Sequence, residues 1–253
     1  RHRRQRLKTP AKSHNQLRPR CGRLLSRHFT DFPAPFCYCA CMARAPGFCG
    51  VILAAGESTR MGTDKALLRW PPGSAASSSQ DTFLSAAIRS LLQFCDLAVV
   101  VAGKNYDRLA PVAYGSNASL VRNPEPERGQ FSSLQTGLQE VLNHGRDAAM
   151  VTLVDRPPVR LATLQALRDA FVAAPTTVWA VVPEYQEKHG HPFIVAREFI
   201  HSCLQAPPTA TARDIEHQNQ AHILYHPIDD PYAVMNVDTP QDYSSLQKEP
   251  VPG

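Results

Sequence analysis

Short apolar, β-prone runs alternate with amphipathic helical patterns from about residue 50 to residue 237, and few folds accept such a chain. Runs that are apolar throughout must be covered on both faces, which calls for a mostly parallel sheet with helices on either side. The clearest candidate strands are "GVILAA" (50–55), "LAVVVA" (97–102), "AAMVTLV" (148–154) and "TVWAVVP" (177–183). Shorter ones are "SLVR" (119–122), "HPFIVA" (191–196), "HILYH" (222–226) and "AVMNV" (233–237). Asp81 is expected to cap a helix with an apolar stripe of Leu84, Ala87, Ile88, Leu91 and Leu92. Leu134, Leu138, Val141 and Leu142 mark a second helix, and Leu161, Leu164, Leu167 and Phe171 a third. "PPGSAASSSQ" (71–80) has the composition of a flexible loop.

Charge divides the chain unevenly. The formal net charge is +5, but residues 1–46 hold eleven Lys or Arg against the single Asp31, leaving 16 basic and 21 acidic residues in the remainder. The part with α/β patterning is therefore mildly acidic and carries no basic stripe, which argues against a polynucleotide partner. No apolar run approaches the ~18–20 residues that a membrane-spanning helix needs. The seven Cys are odd in number and crowded toward the start, so no disulfide framework is expected and the reading is a reducing, cytoplasmic compartment. Residues 1–46 are expected to be a basic, disordered extension, with Met42 as a natural start, and residues 47–250 to form one domain. The composition of the extension also resembles an organellar transit peptide. Its "CYCAC" lacks the paired C-x2-C spacing of a zinc site.

In a parallel sheet, ligands bind beyond the carboxyl ends of the strands, so the loop leaving "GVILAA" is placed for a site. It reads Gly56-Glu57-Ser58-Thr59-Arg60-Met61-Gly62-Thr63-Asp64-Lys65. This is neither a Walker A loop nor a G-x-G-x-x-G fingerprint. Two glycines six apart let backbone N–H groups approach an anion, while Arg60 and Lys65 offer the fork and the point charge that polyphosphates favour. The bland alternative is a strand-to-helix turn carrying surface charges.

The stretch "LAAGESTRMGTDKALL" resembles the signature of the MobA-like nucleotidyltransferases, L-A-[AG]-G-x-S-x-R-M-G-x-x-K-x-L-L, at every fixed position. Four later segments agree in order: "NPEPERGQFSSLQTGL" (123–138), "VDRPPV" (154–159), "GHPFIV" (190–195) and "NVDTPQDY" (236–243). The resemblance implies a three-layer Rossmann-like (GT-A-like) α/β domain that joins a nucleoside monophosphate from an NTP to a phosphorylated acceptor and releases pyrophosphate. Ala55 matches the branch that uses CTP and takes molybdopterin cofactor as acceptor, where a Gly would mark guanylyl transfer. A molybdoenzyme or its maturation chaperone is the partner this implies.

On that resemblance Arg60, Lys65 and Asp155 carry the catalysis, and Leu53, Ala54, Ala55, Gly56, Gly62, Gly129, Ser132 and Ser133 bind the nucleotide. Asp155 and Asp238 hold Mg²⁺, and His191 meets the acceptor. Each has a plainer reading: Asp155 or Asp238 as a turn or capping residue, either Ser as a helix cap, and His191 as a structural residue before Pro192. The chain departs from the family at Asn236, where an acid is usual, and at Arg156, where Gln follows the aspartate. Both departures leave room for another phosphorylated acceptor such as a sugar phosphate, or for an accessory protein that binds nucleotide with little turnover. A nicotinamide-dependent oxidoreductase shares the α/β pattern but requires a fingerprint that is missing here.

Overall fold

The computed structural model describes residues 46–72 and 81–246, all within one compact unit spanning residues 44–253. The readings of a disordered extension, of a start at Met42 and of the "CYCAC" cysteines lie outside the described residues, as does most of "PPGSAASSSQ".

Eight strands form one sheet. They are β1 (Phe48–Leu53), β2 (Leu97–Ala102), β3 (Ser119–Arg122), β4 (Ala148–Leu153), β5 (Ala180–Tyr185), β6 (Lys188–His189), β7 (Phe193–Ala196) and β8 (Ile223–Pro227). The order is β3-β2-β1-β4-β7-β5-β6, with β8 also paired to β5. The β1–β2, β1–β4, β2–β3 and β5–β8 pairs are parallel; β7 runs antiparallel to both β4 and β5. Because β7 is reversed, its first residues lie at the same sheet edge as the last residues of β4, with Phe193 opposite Val151. That reversal carries His191 to the edge where β1, β2, β3 and β4 all end.

Strand alternation builds a core on each side of the sheet. Phe48 and Ile52 of β1 face one apolar cluster, whereas Cys49, Val51 and Leu53 face the other. The first cluster contains residues of α1 (Phe83–Leu91), α2 (Tyr106–Gly115), α4 (Leu161–Ala173) and α7 (Pro240–Leu246). The second contains residues of α3 (Gln130–Asn143), α5 (Arg197–Gln205) and α6 (Ala212–Gln218). The result is the expected three-layer α/β architecture, with a mostly parallel, mixed sheet.

Two local expectations change. The cap of α1 is Thr82, whose hydroxyl accepts from Ser85 N–H in a capping box, while the Asp81 carboxylate pairs with Arg89 at 2.7 Å. "AVMNV" is not a strand. A short 3-10 turn, Pro231–Ala233, runs into it, and its backbone bonds go to that turn and to scattered tertiary partners instead of one ladder. Ala233 O accepts from His191 N–H and from the Arg156 guanidinium, and Val237 N–H donates to Asp155 O. Apolar β-prone composition is satisfied here by tertiary partners, which overrides propensity.

Candidate active site

The cleft at this sheet edge encloses about 1500 Å³. A single small-molecule pocket is typically about 300–1,000 Å³, so this cleft is larger than one such pocket. Its walls come from the loops after β1, β3 and β4, the segment before β7, the stretch 208–213 leading into α6, and Asn236 and Asp238.

The loop after β1 is held by a side chain from elsewhere. Asn105, just past β2, donates from Nδ2 to Ala54 O and to Asp64 Oδ2, both at 2.9 Å, and its Oδ1 accepts from Gly103 N–H at 3.0 Å. Ser58 Oγ accepts from Lys65 N–H at 3.1 Å, and Asp64 caps the 3-10 turn Lys65–Leu67. Gly62 sits at φ +70, outside the cleft lining. Leu53, Ala55, Gly56, Arg60 and Lys65 line the cleft, whereas Ala54 is buried beneath it.

Lys65 is 8% exposed, and its ammonium donates to Asp238 Oδ1 at 2.6 Å and lies 3.5 Å from Asp155 Oδ2. Arg60, whose side chain is 69% exposed, reaches the same Asp238 oxygen at 3.2 Å from the rim. The hydrogen bond from Lys65 and the field of both cations hold the Asp238 carboxyl below its ordinary range. Asp238 is not the cap of α7. That task belongs to Thr239, whose hydroxyl accepts from Asp242 N–H, and to Asp242, whose carboxylate accepts from Asp238 N–H and Thr239 N–H. The Asp238 side chain is thereby free for the cleft.

Asp155 follows β4, and its Oδ1 is buried without a hydrogen-bond partner. An orphaned carboxylate oxygen is costly unless a ligand satisfies it. Asp155 and Asp238 offer hard oxygen donors, and no cluster of three His, Cys, Asp or Glu suited to a metal exists among the described residues. This donor set fits Mg²⁺, which is commonly held by one or two carboxylates and completed by water and substrate phosphates.

Gly129 stands at φ +87 immediately before α3, a backbone geometry that side chains other than Gly resist. Ser132 and Ser133 are both buried and accept from Asn123 Nδ2 at 2.8 and 3.0 Å. Ser133 lines the cleft with Gly129; Ser132 does not, its hydroxyl being turned to Glu125 O and Gly129 O. His191 lines the cleft with its Nδ1 buried and unpartnered. Burial of the ring, aided by the Arg156 guanidinium, pushes its pKa down to about 3, so the imidazole is neutral at physiological pH. Burial also lowers Arg156, against the pull of Asp155 and Asp238.

Asn105 lies outside every segment the sequence points to, and Asn123 opens the matched segment 123–138 without a role being legible for it. Both stand just past strands whose carboxyl ends face the site, and that position was the available signal. The described cysteines, Cys49, Cys95 and Cys203, are free and buried, and burial raises each thiol to about 12, which removes them as nucleophiles. No described helix is long and apolar enough to cross a membrane.

The profile of a family described as MobA-like NTP transferase domain matches residues 50–223. The molybdenum cofactor cytidylyltransferase of Escherichia coli K12 is 25% identical over 205 residues, 78% of this chain and 94% of that protein. A probable molybdenum cofactor guanylyltransferase of Rhodopirellula baltica is 30% identical over 136 residues, 54% of this chain and 61% of that protein. Among solved structures, Rv0371c of Mycobacterium tuberculosis H37Rv shares 26% identity at a TM-score of 0.67, covering 81% of this chain and 99% of that chain.

Proposed function

The chain belongs to the MobA-like NTP transferase family, a nucleotidyltransferase family, and from that premise we propose that it transfers CMP from CTP to the terminal phosphate of molybdopterin cofactor. The observation that carries the reading is the meeting of Lys65, Asp155 and Asp238 in one cleft, with an Asp155 oxygen left unsatisfied.

An acceptor phosphate oxygen attacks the α-phosphorus of the nucleotide, the bond to the β-phosphate oxygen breaks, and pyrophosphate leaves. The attacking oxygen carries no proton, so this step requires no general base. What the protein must supply is position and positive charge. Lys65 and Arg60 serve the β- and γ-phosphates, and backbone N–H groups around Gly56 serve the same oxygens. Asp155 and Asp238 hold Mg²⁺, which when bound neutralises charge on the phosphates. Lys65 lies between the two carboxylates, so nucleotide and metal entering together exchange its carboxylate partners for phosphate.

Gly129 and Ser133 approach the base and ribose, Leu53 and Ala55 form the floor, and the Ala55 methyl narrows the base pocket toward a pyrimidine. Similarity to a guanylyltransferase keeps GTP as the competing nucleotide. A molybdoenzyme or its maturation chaperone is the corresponding recipient of product.

Pyrophosphate release by the full chain with Mg²⁺ and each of CTP, GTP, ATP and UTP, with and without molybdopterin cofactor, tests the proposal. Release with CTP only when cofactor is present is expected. Preference for GTP would overturn the base assignment, and absence of release with every nucleotide would overturn the activity.

A further inference from the structure

We propose that Arg156 selects the acceptor by its phosphate, forming with His191 a subsite for a phosphate monoester dianion; the inference rests on the transferase reading above. One carbonyl brings the two side chains together. Ala233 O accepts from Arg156 Nη1 at 2.6 Å and from His191 N–H at 2.8 Å. Gly190 makes this possible, because a Cβ there would collide with the same carbonyl oxygen. The Ala233 segment is itself tied to the metal end of the cleft, since Val237 N–H donates to Asp155 O at 2.9 Å. Arg156, His191, Asp155 and Asp238 thus share one wall.

That wall is incompletely satisfied. Arg156 Nε and His191 Nδ1 are both buried and have no hydrogen-bond partner, although both residues line the cleft. An unpaired buried guanidinium N–H is costly, and the neutral imidazole donates as well when Nδ1 carries its proton, so the two open nitrogens in one cleft lining point to a ligand that accepts from both. With Nη1 anchored on Ala233 O, a small turn of the guanidinium presents Nε and Nη2 as a fork, which matches the spacing of phosphate oxygens.

The charge decides which acceptor. An amide at position 156 hydrogen-bonds a neutral hydroxyl or a phosphate alike, whereas a guanidinium in a partly buried wall favours a dianion far more strongly. It also offsets the repulsion between an incoming dianion and the carboxylates of Asp155 and Asp238. Arg156 is therefore the residue that makes this wall select a phosphate over an alcohol.

The test uses the full chain and inorganic phosphate as probe, titrated by calorimetry with Mg²⁺ and the non-hydrolysable α,β-methylene analogue of CTP at saturation. The analogue fills the loop around Lys65, leaving the Arg156 wall as the anion site. Arg156→Gln is expected to weaken phosphate about tenfold or more, and Arg156→Lys to recover only part of it, since a point charge lacks the fork. Analogue affinity is expected to stay within about twofold in both, as Arg156 does not serve the nucleotide phosphates. Equal phosphate affinity in wild type and Arg156→Gln, or no phosphate binding by a wild type that holds the analogue, overturns the proposal. Failure of the analogue to bind would instead sink the transferase reading. Phosphate is then titrated without nucleotide in a Lys65→Ala background, where a loss on adding Arg156→Gln supports the subsite and unchanged affinity overturns it. Thermal midpoints of each variant confirm folding, and Arg156→Lys serves if Arg156→Gln does not fold.

Discussion

Lys65 and Asp155 bring opposite charges within 3.5 Å of each other in the cleft. Lys65 neutralises Asp238 and stands near Asp155; on the proposed reading the two carboxylates would hold the metal and the ammonium would serve phosphate. Asp155→Asn keeps the shape and removes the charge. Turnover is expected to fall on the order of 100–1,000-fold, the scale on which charge stabilisation in a transition state operates, while CTP affinity changes less. Pyrophosphate release compared with a direct nucleotide titration checks this, and Mg²⁺-dependent turnover near wild type would remove Asp155 from the site. Asn105 acts through other groups. Its amide ties Ala54 O, Asp64 and Gly103 together, so Asn105→Ala removes a hydrogen bond from each, Asp64 keeping only its cap to Ala66 N–H. A loss of about 1–3 kcal/mol in stability is expected, together with a raised KM for nucleotide, measured by denaturant titration and steady-state kinetics.

At the scale of elements, the N-terminus of α7 places the Asp238 side chain. Thr239 and Asp242 close a reciprocal cap, Pro240 occupies the first helical position, and the Asp238 backbone is thereby fixed beside Lys65. Asp242→Ala is expected to cost about 0.5–2 kcal/mol, the usual range for a lost cap. It should lower turnover as well, because the Asp238 backbone loses an anchor. Urea unfolding and turnover are the two readouts. A variant with the stability loss but unchanged turnover would show that Val237, bonded to Asp155 O, suffices to position Asp238.

At the scale of the whole molecule, acid sensitivity follows from His191. Its ordinary pKa of 6.5 falls to about 3 in the folded state. Between those values the unfolded chain binds a proton that the folded chain does not, so stability is full above about 6.5 and declines as pH drops toward 3. Below the ordinary carboxylate range, Asp238 adds a loss of the same sign, as its depressed carboxyl is forced to protonate. The slope from His191 approaches about 1.4 kcal/mol per pH unit at its steepest. Unfolding free energies at pH 7, 6 and 5 are expected to decline more steeply for wild type than for His191→Gln, and parallel curves would contradict a buried neutral imidazole.

Sequence alone determined the α/β class, because apolar strand runs must be covered on both faces and the helical stripes between them supply the cover. It also singled out the loop of Arg60 and Lys65 and Asp155 after an apolar strand, since each stands just past a recognisable strand, while the segment of Asp238 was marked only by its family resemblance. It missed Asn105 and the role of Asn123, placed the cap of α1 one residue early, and read a strand into "AVMNV". Those outcomes depend on partners distant along the chain: Asp64 lies 41 residues from Asn105, and Arg156 lies 77 from Ala233. Only the tertiary structure decided that Asp242 caps α7 so that Asp238 faces Lys65, that Ser132 turns inward while Ser133 meets the cleft, and that Arg156 and His191 share a carbonyl. Local pattern reports which groups a segment must hide, whereas the direction of a polar side chain is chosen by whichever donor or acceptor the packed fold brings within reach.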